Sequence, residues 1–425
     1  MDHFEYRSQR LFGENVDLGV LAQEVGTPTY VYSTATLRHH YRALAEAFAP
    51  VRPTICFSVK SLANLSVLRL MARMGAGFDV VSGGEVFRAG RAGGDMAKVV
   101  YAGVGKTERE MTEAIEAGVG TFNVESEQEF ETLAAVARST GKTVRAALRV
   151  NPDVDPKTHK YTTTGKKETK FGVDLERAER FFGAYGSNPS ARLTGIHLHI
   201  GSPVNTTEPY VAAITKALTL IERLRGSGYT IESLNIGGGF GADYQTNQAP
   251  PAKTYADAIV PLLRGAGLEV FMEPGRHIAC NAGVLLTRVQ YLKAAGEKTF
   301  VIVDAAMTDL IRPALYGGWH FAYPARLAAG AEPPRRAKDY APPGAVKVDI
   351  VGGVCESADF LATDRLMPPV KRGDLVAIFS AGAYGFVMAS QYNGRPRSAE
   401  VLIDRDAYRV VRRRETYEDL IVGED

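Results

Sequence analysis

Residues 54–92, TICFSVKSLANLSVLRLMARMGAGFDVVSGGEVFRAGRA, hold the pattern from which the fold follows. A β-branched and aromatic run, TICFSVK (54–60), stops at a polar turn. Residues 64–73 then place apolar side chains near 3.6 spacing, as a helix does. GFDVVS (77–82) begins a second strand, and a second helical stretch covers 84–92. Working outward, the same alternation recurs at 98–102 (KVVYA), 121–125 (TFNVE), 143–151 (TVRAALRVN), 193–200 (LTGIHLHI), 233–237 (SLNIG) and 269–273 (EVFME). Helical stretches at 108–117, 127–139 and 210–225 lie between them. Strands that alternate with helices imply parallel pairing through crossover connections. The length matches the typical (β/α)₈ TIM-type barrel, with an open doubly wound sheet as the weaker alternative.

Beyond residue 280 the pattern changes. GVLLTRVQYLKAAG, KTFVIVDAAM, AVKVDIVGG, DLVAIFSAGAYGFV and EVLIDRDAYRVVRR read as strands divided by turns, with hardly any long helical stretch. This predicts a second, mostly antiparallel β-sandwich or β-barrel domain. The expected division is 34–279 for the barrel, and 1–33 with 280–425 for the β domain. The run TPTYVYS (27–33) precedes the barrel and suits either domain. Residues 327–346, rich in Pro and Ala, read as a loop.

Composition narrows the function classes. The 425 residues carry 50 Lys plus Arg against 48 Asp plus Glu, a net charge of +2, too even for a partner of nucleic acid or anionic membrane. An apolar content of 45% with 23% charged residues is that of a globular protein. Cys56, Cys280 and Cys355 are far apart with no CxxC, which argues against a disulfide framework and a zinc ribbon. MDHFEYRSQR lacks an apolar segment, so no secretory signal is expected, and no uncharged run reads as a membrane span. A cytoplasmic enzyme is the expectation. Eight histidines without metal-ligand spacing, and no HExxH, predict no metal site.

A barrel carries its chemistry at the C-terminal ends of its strands. Those ends supply Lys60, Ser82, Gly103, Glu125, Asn151, His199 with Gly201 and Ser202, Gly237, Gly238 and Gly239, and finally Glu273, Pro274, Gly275 and Arg276. A lysine leaving an apolar strand is partly desolvated and suited to imine formation. Alone it reads better as a surface lysine closing a strand. NIGGGFG (235–241) permits backbone N–H groups to close around a phosphate, and it is not a dinucleotide fingerprint. A lysine for imine formation, a phosphate cradle and the carboxylate of Glu273 together suggest pyridoxal phosphate, whose ring needs an acid at its nitrogen. An aldolase-type lysine acting on a sugar phosphate would not need Glu273. His197 and His199 alternate along a strand and are expected to face opposite sides, with His199 nearer the site. In the second domain Cys355 and Glu356 stand together on a glycine loop, although a free cysteine is most often an inert core residue. Arg312 suits bidentate carboxylate binding or a plain surface role. Tyr384 reads as a core aromatic or a phosphate partner.

Taken together, FSVK (57–60), GAGFDVVSGGE (75–85), HLHIGS (197–202), NIGGGFG (235–241), EPGR (273–276), NAGVLLTRV (281–289), RPALY (312–316), CESADFLA (355–362) and AGAYGFVMAS (381–390) resemble the diaminopimelate decarboxylases, a family of fold-type III pyridoxal-phosphate enzymes. The resemblance runs through nearly the whole chain in order. It implies that Lys60 carries the cofactor and His199 stacks on its ring. Ser202, Gly237–Gly239, Gly275, Arg276 and Tyr384 would hold the phosphate, with Pro274 in the same turn, and Glu273 the pyridine nitrogen. Arg276, Arg312, Tyr316 and Tyr384 would bind substrate, the remote carboxylate among its groups, and Glu356 the remote ammonium. Cys355 would reprotonate the carbon after CO₂ leaves. In the family Cys355 and Glu356 come from the partner subunit, so a homodimer is implied. The implied reaction is decarboxylation of meso-2,6-diaminopimelate to L-lysine, the last step of lysine biosynthesis. Related ornithine, arginine and carboxynorspermidine decarboxylases are the alternative, and a non-catalytic cofactor-binding regulator is the remoter one. Three positions depart from the family pattern: Ser61-Leu62 after the lysine, Pro203 after HIGS, and His277 after EPGR.

Overall fold

The computed structural model describes residues 2–155 and 170–425. Its chain divides into two compact units, one of Tyr41–Gly241 with Ala249–His277, the other of Met1–His40, Ala242–Gln248 and Ile278–Asp425.

The first unit is a closed barrel of eight strands. In chain order they are Thr54–Ser58, Gly77–Val80, Val99–Tyr101, Thr121–Val124, Val144–Arg149, Ala191–His197, Ser233–Asn235 and Glu269–Met272. Every neighbouring pair is parallel, and the last strand returns to the first through Phe271 opposite Thr54 and Met272 opposite Ile55. Closure excludes the open doubly wound sheet, and it removes the unpaired edges that such a sheet leaves. The strands are buried on both faces, which is why they read as short apolar runs without alternation.

Helices begin where a polar side chain caps them. Asn64 accepts the N–H of Ser66 ahead of Leu65–Arg73, Ser82 that of Glu85 ahead of Gly83–Arg91, and Ser126 that of Glu129 ahead of Glu127–Ser139. Thr107 and Glu110 form a reciprocal capping box for Glu108–Glu116. Each cap stabilises its helix by about 1 kcal/mol and sets where the preceding loop must stop. The loops between the first four strands and these helices are therefore short and held at their helix ends.

The second unit is built on a nine-stranded sheet. Along its path lie Phe360–Met367, Val346–Val351, Lys298–Val303, Gly283–Ala295, Thr29–Ser33, Ala399–Asp404 and Ala407–Arg412. Leu375–Ile378 and Ala322–Pro324 join it through Gly283–Ala295. Pairing is mostly antiparallel; the exceptions are Lys298–Val303 with Val346–Val351, and Thr29–Ser33 with Ala399–Asp404. The strand Thr29–Ser33 is thus a central member of this sheet. A core of Leu18, Leu21, Val31, Val284, Leu286, Phe321, Tyr323, Phe379, Val401 and Ile403 packs beneath it. Segment 242–248, which the sequence pattern groups with the barrel, clusters with this unit: the Asp243 carbonyl accepts from Ser380 Oγ at 2.8 Å, and the Tyr244 ring meets the edge of His320.

Candidate active site

The barrel strands end at Ser58, Val80, Tyr101, Val124, Arg149, His197, Asn235 and Met272, so the expected strand-end residues fall in the first turns beyond them. Lys60 lies in the turn Val59–Ser61, half-buried, with Nζ donating to Asp79 Oδ2 at 2.6 Å. Asp79 is fully buried in the second strand, and its Oδ2 also lies 2.6 Å from Ser58 Oγ. Burial raises the Asp79 carboxyl pKa, and the Lys60 ammonium pulls against that rise. The pair holds the lysine amine at the mouth of the barrel.

Glu273 follows the eighth strand and is buried. Three side chains converge on its Oε1: Asn235 Nδ2 donates at 2.7 Å, Asn123 Nδ2 at 3.3 Å, and His197 Nε2 lies 3.3 Å away. Burial by itself would raise this carboxyl. The His197 imidazole and the Lys60 ammonium outweigh burial and hold it well below the usual carboxylate range. A carboxylate kept ionised inside a protein can retain a proton on a nearby ring nitrogen, the task that pyridine chemistry sets.

His199 lies past the end of its strand, and its Nδ1 accepts the Gly238 N–H at 3.3 Å. Burial and the positive charges of Arg149 and Lys60 lower its pKa to about 3, so the ring is neutral with its proton on Nε2. The expectation that His197 and His199 face opposite sides is corrected here. Residues two apart along an extended chain share a face, only immediate neighbours oppose, and both rings accordingly lie within electrostatic reach of Glu273. Arg149 is itself held by Glu125, with Nη1 to Oε1 at 3.0 Å.

The glycine loop follows the seventh strand. A side chain at Gly238 would put Cβ 2.2 Å from the Glu273 carbonyl oxygen, and one at Gly237 would meet the Leu198 carbonyl at the same distance. Only backbone fits there. Gly237 N–H is engaged by Asn235 Oδ1 at 2.9 Å and Gly238 N–H by His199, so among the described residues Gly239 carries the loop's remaining amide donor. The Tyr210 hydroxyl donates to the Gly238 carbonyl at 2.9 Å and holds the loop from behind. Arg276 is buried at the start of the short helix Arg276–Ala279, with Nε donating to Ser202 Oγ at 3.2 Å. Gly275 packs against Ser58 and Ser61, and the Pro274 carbonyl accepts the Ser58 N–H at 3.4 Å. Lys60, His199, Ser202, Gly237–Gly239, Glu273, Pro274, Gly275 and Arg276 thus all belong to one end of one barrel.

The remaining expected residues belong to the β unit. Arg312 is buried at the head of the helix Arg312–Tyr316, with Nη1 2.7 Å from His320 Nε2. Tyr316, at the other end of that helix, is half-buried, as is Tyr384, whose backbone adopts a positive φ of 55°. Cys355 and Glu356 are exposed on a loop pinned by Asp359: Oδ2 accepts the Val354 N–H at 2.6 Å and Oδ1 the Met307 N–H at 2.6 Å. Cys355 N–H donates to Asn393 Oδ1 at 2.8 Å, and Glu356 accepts from the Tyr392 hydroxyl. Among the described residues no hydrogen bond or ion pair joins Arg312 to Cys355 or Glu356.

Asp79, Asn123, Asn235, His197 and Tyr210 were not singled out as site residues from the sequence. The available signal was a polar residue inside an apolar strand: GFDVVS, TFNVE and SLNIG each contain one. Among the described residues no His, Cys, Asp and Glu cluster suits a metal ion, and no helix is long and apolar enough to cross a membrane.

Residues 34–280 match the family model of the pyridoxal-dependent decarboxylase, pyridoxal binding domain. A diaminopimelate decarboxylase from Pseudomonas aeruginosa is 49% identical over 424 residues, covering 100% of this chain and 99% of the relative. The crystal structure of diaminopimelate decarboxylase from M. jannaschii in complex with L-lysine superposes with a TM-score of 0.92 at 34% identity, covering 100% of this chain and 98% of that one. The Helicobacter pylori diaminopimelate decarboxylase, also complexed with L-lysine, has a TM-score of 0.89 at 36% identity, with 96% and 99% covered. With likeness of this order from end to end, and with a lysine, a buried carboxylate and a glycine loop at one barrel end, the chain belongs to the diaminopimelate decarboxylases within the pyridoxal-dependent decarboxylase family.

Proposed function

We propose that the chain removes CO₂ from the D-centre of meso-2,6-diaminopimelate to yield L-lysine, with pyridoxal phosphate as cofactor, as the last step of lysine biosynthesis. The observation that carries this reading is Glu273, buried yet held ionised by donors converging on one oxygen, within electrostatic reach of Lys60. A sugar-phosphate aldolase has no use for that carboxylate.

The residues fit the cofactor. At the glycine loop any Cβ would fill the surface, and Ser202, Arg276 and the Gly239 N–H form a donor set for a phosphate. Lys60 Nζ would hold the cofactor's aldehyde carbon, and the neutral ring of His199 would lie on one face of the pyridine. Glu273 would keep a proton on the ring nitrogen. When bound, pyridoxal phosphate supplies the electron sink that lets the carboxylate depart as CO₂.

Substrate recognition follows from charge. A molecule with a second amino-acid end needs a cation for its carboxylate and an anion for its ammonium, and Arg312 and Glu356 supply them. Arg276, Tyr316 and Tyr384 would add contacts to the substrate, and Tyr384 a further one to the phosphate. The Cys355 thiol would give its proton to the substrate carbon that has lost CO₂. We assign Cys355 and Glu356 to the partner's site in a homodimer; their exposure on the single chain supports this. We place the enzyme in the cytoplasm, a reading supported by the lack of any disulfide among the described residues.

The test is a substrate panel with the purified holoenzyme. CO₂ release from meso-2,6-diaminopimelate is expected to exceed that from ornithine or arginine, and the reverse order would favour the polyamine-type alternative. Lys60→Ala is expected to lose both the visible absorption band and turnover. Turnover at the wild-type rate by that variant would refute the assignment.

A further inference from the structure

Arg312 does not stand alone in the β unit. His320, fully buried, lies with Nδ1 3.0 Å from the Phe379 carbonyl oxygen and Nε2 2.7 Å from Arg312 Nη1. A carbonyl can only accept and a guanidinium can only donate. The two partners therefore require the proton on Nδ1 and the lone pair on Nε2, a single neutral tautomer. The guanidinium carbon lies 4.5 Å from the Tyr244 ring centroid, and the Tyr244 ring meets His320 at 5.3 Å and 89°. Tyr244 sets the plane of the guanidinium, and His320 sets its rotation within that plane. Arg312 Nε is buried and, among the described residues, has no hydrogen-bond partner. With Nη1 occupied by His320, the edge formed by Nε and Nη2 is the one with an unmet donor, and that edge matches a carboxylate in the bidentate geometry.

We propose that His320 is a positioning residue: by accepting from Nη1 it turns the Nε and Nη2 edge of Arg312 toward the carboxylate that the substrate retains through the reaction. The inference rests on the reading of Arg312 as the carboxylate-binding residue. It makes recognition of the remote amino-acid end depend on a buried imidazole that need not touch the substrate.

Two substitutions separate the roles of the ring's nitrogens. His320→Asn keeps a donor for the Phe379 carbonyl and removes the acceptor for Arg312. His320→Gln places an amide oxygen near the position of Nε2 and gives up the Nδ1 donor. For His320→Asn holoenzyme, KM for meso-2,6-diaminopimelate and Ki for L-lysine, which retains the remote carboxylate, are expected to rise together about tenfold. Its kcat should stay within about threefold of wild type, and inhibition by 1,5-diaminopentane, which lacks any carboxylate, should not change. His320→Gln is expected to bind L-lysine within about threefold of wild type. Equal weakening of L-lysine and 1,5-diaminopentane, or unchanged L-lysine binding in His320→Asn, would overturn the proposal. Should His320→Asn not fold, His320→Gln decides alone: L-lysine binding as weak as in Arg312→Met refutes positioning by the acceptor. Arg312→Met also isolates the underlying reading, since unchanged L-lysine binding there removes the carboxylate role of Arg312 itself.

Discussion

Glu85 shows how one residue near the barrel mouth couples burial to pH. It is the third residue of the helix Gly83–Arg91, and its Oε2 accepts the Val81 N–H at 2.9 Å. Burial pushes its pKa from 4.5 up to about 7, with Lys60 acting in the opposite direction. A carboxyl with a raised folded-state pKa binds its proton more tightly when folded than when unfolded. Its contribution to stability is therefore full below about pH 4.5 and lost as pH rises through about 7. Glu85→Gln should remove that slope, so urea midpoints of variant and wild type should converge in acid and diverge, in favour of the variant, by pH 8. Parallel curves across that range would exclude Glu85 as the source. At this scale position just past a strand end nominated Lys60, His199 and Glu273, with the neighbouring glycine loop and turn residues needed to raise Lys60 and His199 above a plain structural role. Asp79, Asn123 and Asn235 were not nominated, because a polar residue within a strand shows its role only once barrel closure brings it to Lys60 or Glu273.

Among elements, the glycine loop is the most constrained. Gly238→Ala would force Cβ to within 2.2 Å of the Glu273 carbonyl, displacing the residue that the loop must present. The variant is expected to bind pyridoxal phosphate far more weakly, read by titrating the visible absorption band. The other end of the loop is braced by a residue that departs from the family pattern. His277 Nδ1 lies 2.7 Å from the Gly241 carbonyl oxygen, and its ring packs against Phe240 and Tyr255. His277→Ala should cost about 1 kcal/mol of stability through the lost hydrogen bond and loosen cofactor binding several-fold. Cofactor affinity unchanged to within error would show that the brace does not reach the phosphate. Helix starts read from the apolar spacing fell within one residue of those observed at Leu65, Gly83 and Glu127, since a cap such as Asn64, Ser82 or Ser126 acts over two or three residues and needs no tertiary partner. Strand ends ran one to three residues short of the pattern's apolar limit, because in-register partners, not propensity, decide where a ladder stops.

For the whole molecule, the decisive prediction concerns the shared site. Lys60→Ala and Cys355→Ala disable groups that, in the proposed dimer, meet only across two chains. Each variant alone should be inactive. A mixture equilibrated to a random population of dimers should regain about one quarter of wild-type activity, because half the dimers carry one intact site of two. Persistent inactivity, with light scattering showing that subunits have exchanged, would place both groups on the same chain.

The sequence by itself determined the barrel, its parallel order and which residues stand just past its strand ends. Each β/α unit is local, and its period, caps and turn residues act within a few dozen residues. It also carried the family motifs through the second unit. Only the tertiary structure decided the order of that unit's sheet, where Thr29–Ser33 lies between Gly283–Ala295 and Ala399–Asp404. It alone decided that His197, Asn123 and Asn235 serve one oxygen of Glu273, and that His320 holds Arg312. Those pairings join residues far apart in the chain. Their geometry depends on closure and packing, which no local pattern encodes.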